Sequence, residues 1–164
     1  VDEPATLRPL VRAVREVADR LPLVFPVHPR TRARIDALDL GGLLDTPRIA
    51  LLPPLGYLEL LGLMAAARLV LTDSGGLQEE TTALGVPCIT LRDSTERPVT
   101  VERGTNTVVG SDPERILAAV DAILRNGGKR GRVPDLWDGR AAERIADATS
   151  AWLAARRTAI RSAA

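Results

Sequence analysis

The chain has 164 residues, enough for one domain with a real core, and with 45% apolar but only 2% aromatic residues that core must be Leu, Val, Ile and Ala. Lys and Arg number 22 against 21 Asp and Glu, a formal charge of +1, so no basic field points to nucleic acid, and the few aromatic rings offer no stacking platform for single strands. One Cys and one His exclude an internal disulfide and a Cys/His metal cluster; no apolar run reaches membrane-spanning length and no signal-like segment opens the chain, so a soluble cytoplasmic protein without metal or cofactor is expected.

Val1-Asp2-Glu3-Pro4 leads straight into a helix with no strand before it, as in a domain excised from a longer chain. Over residues 5–20, Leu7, Leu10, Val11, Val14 and Val17 recur near helical spacing, opposite Arg8, Arg12, Arg15, Glu16 and Asp19, which predicts an amphipathic surface helix closed by Pro22. Residues 23–27 read as a short strand that delivers His28-Pro29 at its carboxyl end. In an open parallel sheet that edge is where ligands bind, although a histidine there can equally serve the structure by bonding a neighbouring carbonyl. A short helix over 31–40, ended by Gly41-Gly42, carries Arg32 and Arg34 after Arg30 on a solvated face. A strand at 49–52 runs into Pro53-Pro54-Leu55-Gly56, and a helix at 57–67 has Leu60, Leu61, Leu63 and Met64 as expected core.

The most informative stretch is 68–98. An apolar strand at 69–72 stops at Asp73, Ser74, Gly75 and Gly76; a helix at 77–84 follows, with Asp73 or Ser74 as N-cap, Glu79 and Glu80 in its early turns, and Gly85 then Val86-Pro87 as its stop. The first N–H groups of such a helix lack internal partners, and the macrodipole adds roughly half a positive charge there, so the turn is a natural seat for phosphate. Gly75 and Gly76 put no Cβ in the way of an anion, and Glu80, one turn on, is placed to accept hydrogen bonds from vicinal sugar hydroxyls. The same pair of glycines also fits a plain tight turn between strand and helix. A strand at 88–91 then opens into the polar loop 92–98, where substrate-binding side chains commonly sit.

A strand at 107–109 and a helix from Asp112-Pro113-Glu114 to Leu124 come next, then a basic, solvated loop at 126–134. A last helix at about 139–160, loosening beyond Arg156, carries Ile145, Ala148, Trp152 and Leu153 on one side. Five strands alternating with helices, without repeat or linker, predict one α/β domain over residues 1–164, a Rossmann-like three-layer α/β/α arrangement with a mainly parallel sheet. His28, Pro53, residues 73–76 and residues 92–98 all follow strands, so one sheet edge collects them.

Pro26-Val27-His28-Pro29, Tyr57 with Leu63-Met64, Leu71-Thr72-Asp73-Ser74-Gly75-Gly76-Leu77-Gln78-Glu79-Glu80, Gly85-Val86-Pro87 and Arg92-Asp93-Ser94-Thr95-Glu96-Arg97-Pro98 resemble the carboxy-terminal domain of non-hydrolysing UDP-N-acetylglucosamine 2-epimerases, over residues 1–152. The resemblance implies one half of a GT-B fold, holding UDP or UDP-N-acetylglucosamine in a cleft against a missing amino-terminal catalytic domain. By it, Ser74, Gly75 and Gly76 bind the diphosphate, Glu80 the ribose hydroxyls and Arg97 the anionic region, while His28 assists loss of UDP. Leu60 stands near the uracil, where the family often has an aromatic ring, and Val99 stands where it usually has a Glu. The implied reaction interconverts UDP-GlcNAc and UDP-ManNAc, serving cell-surface polysaccharide synthesis, and the half represented here is expected to be a monomer that binds nucleotide without turnover. A donor-binding half of a GT-B glycosyltransferase and a non-catalytic nucleotide-sugar module remain alternatives.

Overall fold

The computed structural model describes residues 4–162, with side chains through Arg156. Helix α1 (Pro4–Arg20) is followed by β1 (Leu23–Pro26), α2 (Pro29–Ala37), α3 (Gly41–Leu44), β2 (Ile49–Leu52), α4 (Tyr57–Ala66), β3 (Val70–Thr72), α5 (Gly75–Leu84), β4 (Cys88–Thr90), α6 (Pro98–Glu102), β5 (Asn106–Val108), α7 (Pro113–Asn126) and α8 (Ala141–Ser162). The chain divides into two compact units, Val1–Arg132 and Val133–Ala164.

The first unit is α/β with parallel strands throughout, as expected. The strands form two ladders, β1–β2 and β3–β4–β5, where the sequence suggested a single sheet. Leu23 of β1 pairs with Ile49 of β2, Val70 of β3 with Cys88 of β4, and Cys88 in turn with Asn106 of β5. Side chains rather than backbone bonds tie the ladders together. Helix α1 sends Leu7, Val11 and Ala18 into a core with Val27, Ile35, Leu44 and Ile49, and Leu10, Ala13 and Val17 into a second core with Ile89, Ile116, Val120 and Ile123. Leu23 packs against both.

Strand β4 shows how the layers arise. Ile89, fully buried, faces α1 and α7, and burying an isoleucine this way contributes about 1.5–3 kcal/mol. Its neighbours point to the opposite face, where Cys88 hydrogen-bonds Thr81 of α5 and Thr90 bonds Asn106 of β5. Burial pushes the Cys88 thiol above its ordinary range, more than its bonds to Thr81 and Thr90 lower it.

Several elements differ from their sequence patterns. Helix α2 ends at Ala37 because Asp39 enters the left-handed region (φ 53°) and Leu40 N–H donates back to the Ile35 carbonyl at 3.0 Å; Gly41-Gly42 therefore open α3 rather than close α2. Gly75 and Gly76 are the first two residues of α5, and α6 begins at Pro98 directly after the polar loop. In α4 only Met64 is buried, while Leu58 is 77% and Leu63 39% exposed. Helix α8 continues past Arg156 to Ser162; Val1-Asp2-Glu3 and Ala163-Ala164, into which the expected lead-in and loose tail extend, lie outside the described residues. In the second unit Ile145, Trp152 and Leu153 are exposed, and the Arg156 guanidinium lies 5.2 Å from the Trp152 ring centre. Among the described residues no helix is long and apolar enough to cross a membrane.

Candidate functional site

The turn between β3 and α5 is built from hydroxyls as well as glycines. Thr72 Oγ1 accepts the Ser74 N–H at 3.0 Å, which sets Ser74 in an extended conformation (φ −82°, ψ 131°) as the N-cap of α5. The Ser74 hydroxyl makes no capping bond of its own, so it is free for a ligand, and the first N–H groups of α5 are unpaired by helix geometry. A Cβ on Gly76 would meet only Ser74 Oγ, at 4.0 Å, so the space above that residue is open to an anion. Gly75 is different: a Cβ there would stand 2.5 Å from Glu96 Oε1 and 3.9 Å from Arg97 Nε. The polar loop 92–98 therefore closes directly onto the glycine turn.

That loop is anchored at its start. Gly110, at φ 78°, donates its N–H to the Arg92 carbonyl at 3.0 Å, and a Cβ in its place would lie 2.8 Å from Asp93 Oδ1. Within the loop Arg92 Nη1 donates to Glu96 Oε2 at 2.9 Å, and Arg97 Nε lies 3.3 Å from Glu79 Oε1. The Glu96 carboxyl is held below the usual carboxylate range, first by its own backbone N–H and then by Arg92 and Arg97. Both guanidiniums near the turn are thus matched by carboxylates. An anion here would be held chiefly by backbone N–H groups and the Ser74 hydroxyl, with Arg97 shared.

Glu80 is half-buried, and among the described residues its carboxylate has no ion-pair or hydrogen-bond partner. Leu60 is half-buried on α4, which packs against α5. His28 caps α2, its Nδ1 accepting the Arg30 N–H at 3.2 Å, so in the uncharged ring the proton resides on Nε2 of an exposed side chain. It stands at the carboxyl end of β1 in the other ladder, beside a shallow apolar cleft of about 340 Å³ lined by Val27, Pro29, Arg32, Leu52 and Pro53 among others. The structure thus joins Ser74, Gly75, Gly76 and Arg97 in one contact group, with Glu80 one turn along α5 and His28 on a different strand end. A roomier groove of about 750 Å³ lies beside the site, between α1 and the start of α7, with Asp93, Asp112, Glu114 and Arg115 as its charged lining. No group of three or more His, Cys, Asp or Glu side chains among the described residues is arranged to hold a metal.

Beneath the turn lies a buried polar cluster that the sequence pattern does not announce. Gln78 and Asn106 are both fully buried and bonded to each other, with Thr90, Thr95 and Thr100 around them. The one signal is Asn106, a residue type depleted in strands, at the head of the short strand Asn106-Thr107-Val108.

The profile of the family described as UDP-N-acetylglucosamine 2-epimerase matches residues 1–150. The UDP-N-acetylglucosamine 2-epimerase of Methanocaldococcus jannaschii is 42% identical over 148 residues, covering 88% of this chain and 40% of that protein. A Pseudomonas aeruginosa relative named UDP-2,3-diacetamido-2,3-dideoxy-D-glucuronate 2-epimerase is 40% identical over 124 residues, 75% of this chain and 34% of its own length. The crystal structure of the M. jannaschii enzyme in complex with UDP-GlcNAc and UDP superposes with a TM-score of 0.82 at 39% identity, over 92% of this chain and 42% of that one. The chain spans between 27% and 40% of the length of the curated relatives it matches. With the family profile running from α1 into α8, and with an α/β framework shared at this identity, the chain belongs to the UDP-N-acetylglucosamine 2-epimerase family.

Proposed function

We propose that residues 1–164 are the UDP-binding, carboxy-terminal half of an enzyme that interconverts UDP-GlcNAc and UDP-ManNAc in the cytoplasm, for polysaccharide synthesis. One observation carries this reading: an uncommitted Ser74 hydroxyl and the free N–H groups of α5 lie within about a turn of an unpartnered, half-buried Glu80. The diphosphate sits on Ser74, Gly75 and Gly76 with Arg97 at its flank, Glu80 takes the ribose hydroxyls, and Leu60 lies toward the base. His28 offers its Nε2–H to the departing phosphate.

In the reaction a base removes the C2 proton, the C–H electron pair forms a C1=C2 double bond, and the C1–O bond breaks with its electrons going to UDP. Re-addition of UDP with protonation of C2 from the opposite face completes the epimerisation. A donor at the leaving phosphate stabilises the charge that develops there. The acid and base beside C2 belong to the remainder of a longer protein, so this chain alone binds and does not turn over.

A second sugar is favoured by the 40% identity to the P. aeruginosa relative, whose name specifies a diacetamido uronic acid. The UDP contacts serve either substrate. Calorimetric titration with UDP tests the shared part: Ser74→Ala and Glu80→Ala are each expected to weaken binding about tenfold, the loss of one hydrogen bond to a charged or polar partner. A folded chain that gives a flat titration at millimolar UDP overturns the reading.

A further inference from the structure

We propose that Gln78 is a positioning residue for the anion site, its buried carboxamide locking the N-cap of α5 to the loop 92–98 so that Ser74 and Arg97 are presented as one unit. The proposal rests on the reading of the glycine turn as a diphosphate seat. Gln78 is fully buried and spends both ends of its amide. Nε2 donates to the Ser74 carbonyl at 3.3 Å; Oε1 accepts from Thr95 Oγ1 at 2.5 Å and from Asn106 Nδ2 at 3.0 Å. Two routes then lead from Gln78 to the backbone of Arg97. In the first, Thr95 Oγ1 accepts the Arg97 N–H at 3.0 Å. In the second, Asn106 Nδ2 donates to Thr100 Oγ1 at 3.0 Å, and Thr100 Oγ1 donates to the Arg97 carbonyl at 2.7 Å.

The remaining atom of Asn106 is also occupied, since Oδ1 accepts from Thr90 Oγ1 of β4 at 2.7 Å. The network fixes its own polarity: Gln78 Oε1 receives two donors, so the amide cannot flip without setting its nitrogen against Asn106 Nδ2. A leucine would fill this space with no polar group to satisfy; what the amide adds is a single mutual orientation of helix start and loop. That orientation is what brings Glu96 and Arg97 up to Gly75.

Thr95→Val deletes the hydroxyl at a half-buried position in the loop, Thr95→Ser restores it, and Gln78→Met removes the hub itself. Each variant is titrated with UDP, and without ligand amide hydrogen exchange is followed at the hydrogen-bonded amides of the helix start, Ser74 and residues 78–80, and at residues 95–97. Thr95→Val and Gln78→Met are expected to weaken UDP about tenfold and to speed exchange in both segments, while Thr95→Ser stays within about twofold of the parent. Arg97→Ala should cost less affinity on the Thr95→Val background than on the parent, because the guanidinium is no longer held in place. Unchanged exchange at Ser74 and residues 78–80 in Thr95→Val, or UDP affinity in Thr95→Val equal to that of the parent, overturns the proposal. If Gln78→Met does not fold, the Thr95→Val and Thr95→Ser pair decides alone. If the parent binds no UDP, the reading of the site fails while the exchange data still decide the positioning claim: joint acceleration upholds it, independence of the two segments overturns it.

Discussion

Gly75 and Gly104 both lack room for a side chain, yet they predict opposite outcomes. A Cβ on Gly75 would meet the end of Glu96, a flexible and half-exposed chain that can swing into solvent, and alanine gains about 1 kcal/mol of helix propensity over glycine. Gly75→Ala should therefore leave the melting temperature unchanged or slightly raised while lowering UDP affinity several-fold, since the loop must leave the turn; thermal melts and titration of the same sample separate the two effects. Gly104 is buried, and its Cβ would stand 2.6 Å from the Thr100 carbonyl oxygen and from Thr82 Cγ2. Backbone cannot swing away, so Gly104→Ala should lose about 3 kcal/mol in urea unfolding. The sequence made the importance of Gly75 legible because strand, glycine turn and helix are adjacent in the chain. It did not reveal Gly104, Gln78 or Asn106, each of which meets at least one partner far away in the chain; nor did it reveal that Arg97 is matched by Glu79, a pairing that exists only once the loop folds over α5.

Asp138, just ahead of α8, illustrates what an element end depends on. Its carboxylate accepts from Arg144 at 2.9 and 2.5 Å and from the Arg140 N–H at 3.0 Å, and these groups, Arg144 first, lower its pKa from 3.8 to about 2. A depressed folded value means that the contribution is present above pH 3.8 and is lost as the pH falls toward 2. Helicity by far-UV circular dichroism should accordingly fall through that window, with the step reduced in Asp138→Asn and smaller at high salt, because the pair is exposed. Strand β2 matches its sequence span, and β1, β3, β4 and β5 lie within a residue of theirs. Short apolar runs between turn-formers are a local signal. Helix ends are less local: α2 stops where Asp39 adopts the left-handed conformation, and nothing in residues 38–42 favours that position over the glycines.

At the level of the whole molecule, every residue of the two apolar cores precedes Arg132. The last stretch before it is also built into the first unit, through Lys129 Nζ donating to the Val101 carbonyl and Arg132 N–H donating to the Arg103 carbonyl. A chain of residues 1–132 should thus keep one cooperative thermal transition, with a midpoint within about 5 °C of the parent, as read by circular dichroism. The α/β class was legible from the alternation of strand and helix patterns. The division into two ladders was not, because it depends on which strands come within backbone hydrogen-bonding distance, and no residue pattern encodes that. The exposure of α4 was hidden for another reason: Tyr57-Leu58-Glu59-Leu60-Leu61-Gly62-Leu63-Met64 is apolar on nearly every side, so periodicity cannot say which side turns inward. Finally, the chain's single thiol is sealed within β4, with no accessible surface and little tendency to ionise. An alkylating reagent can reach it only in molecules whose central strand has come open, so the rate of modification is a clock for that opening, supplied by the chain itself without an added label.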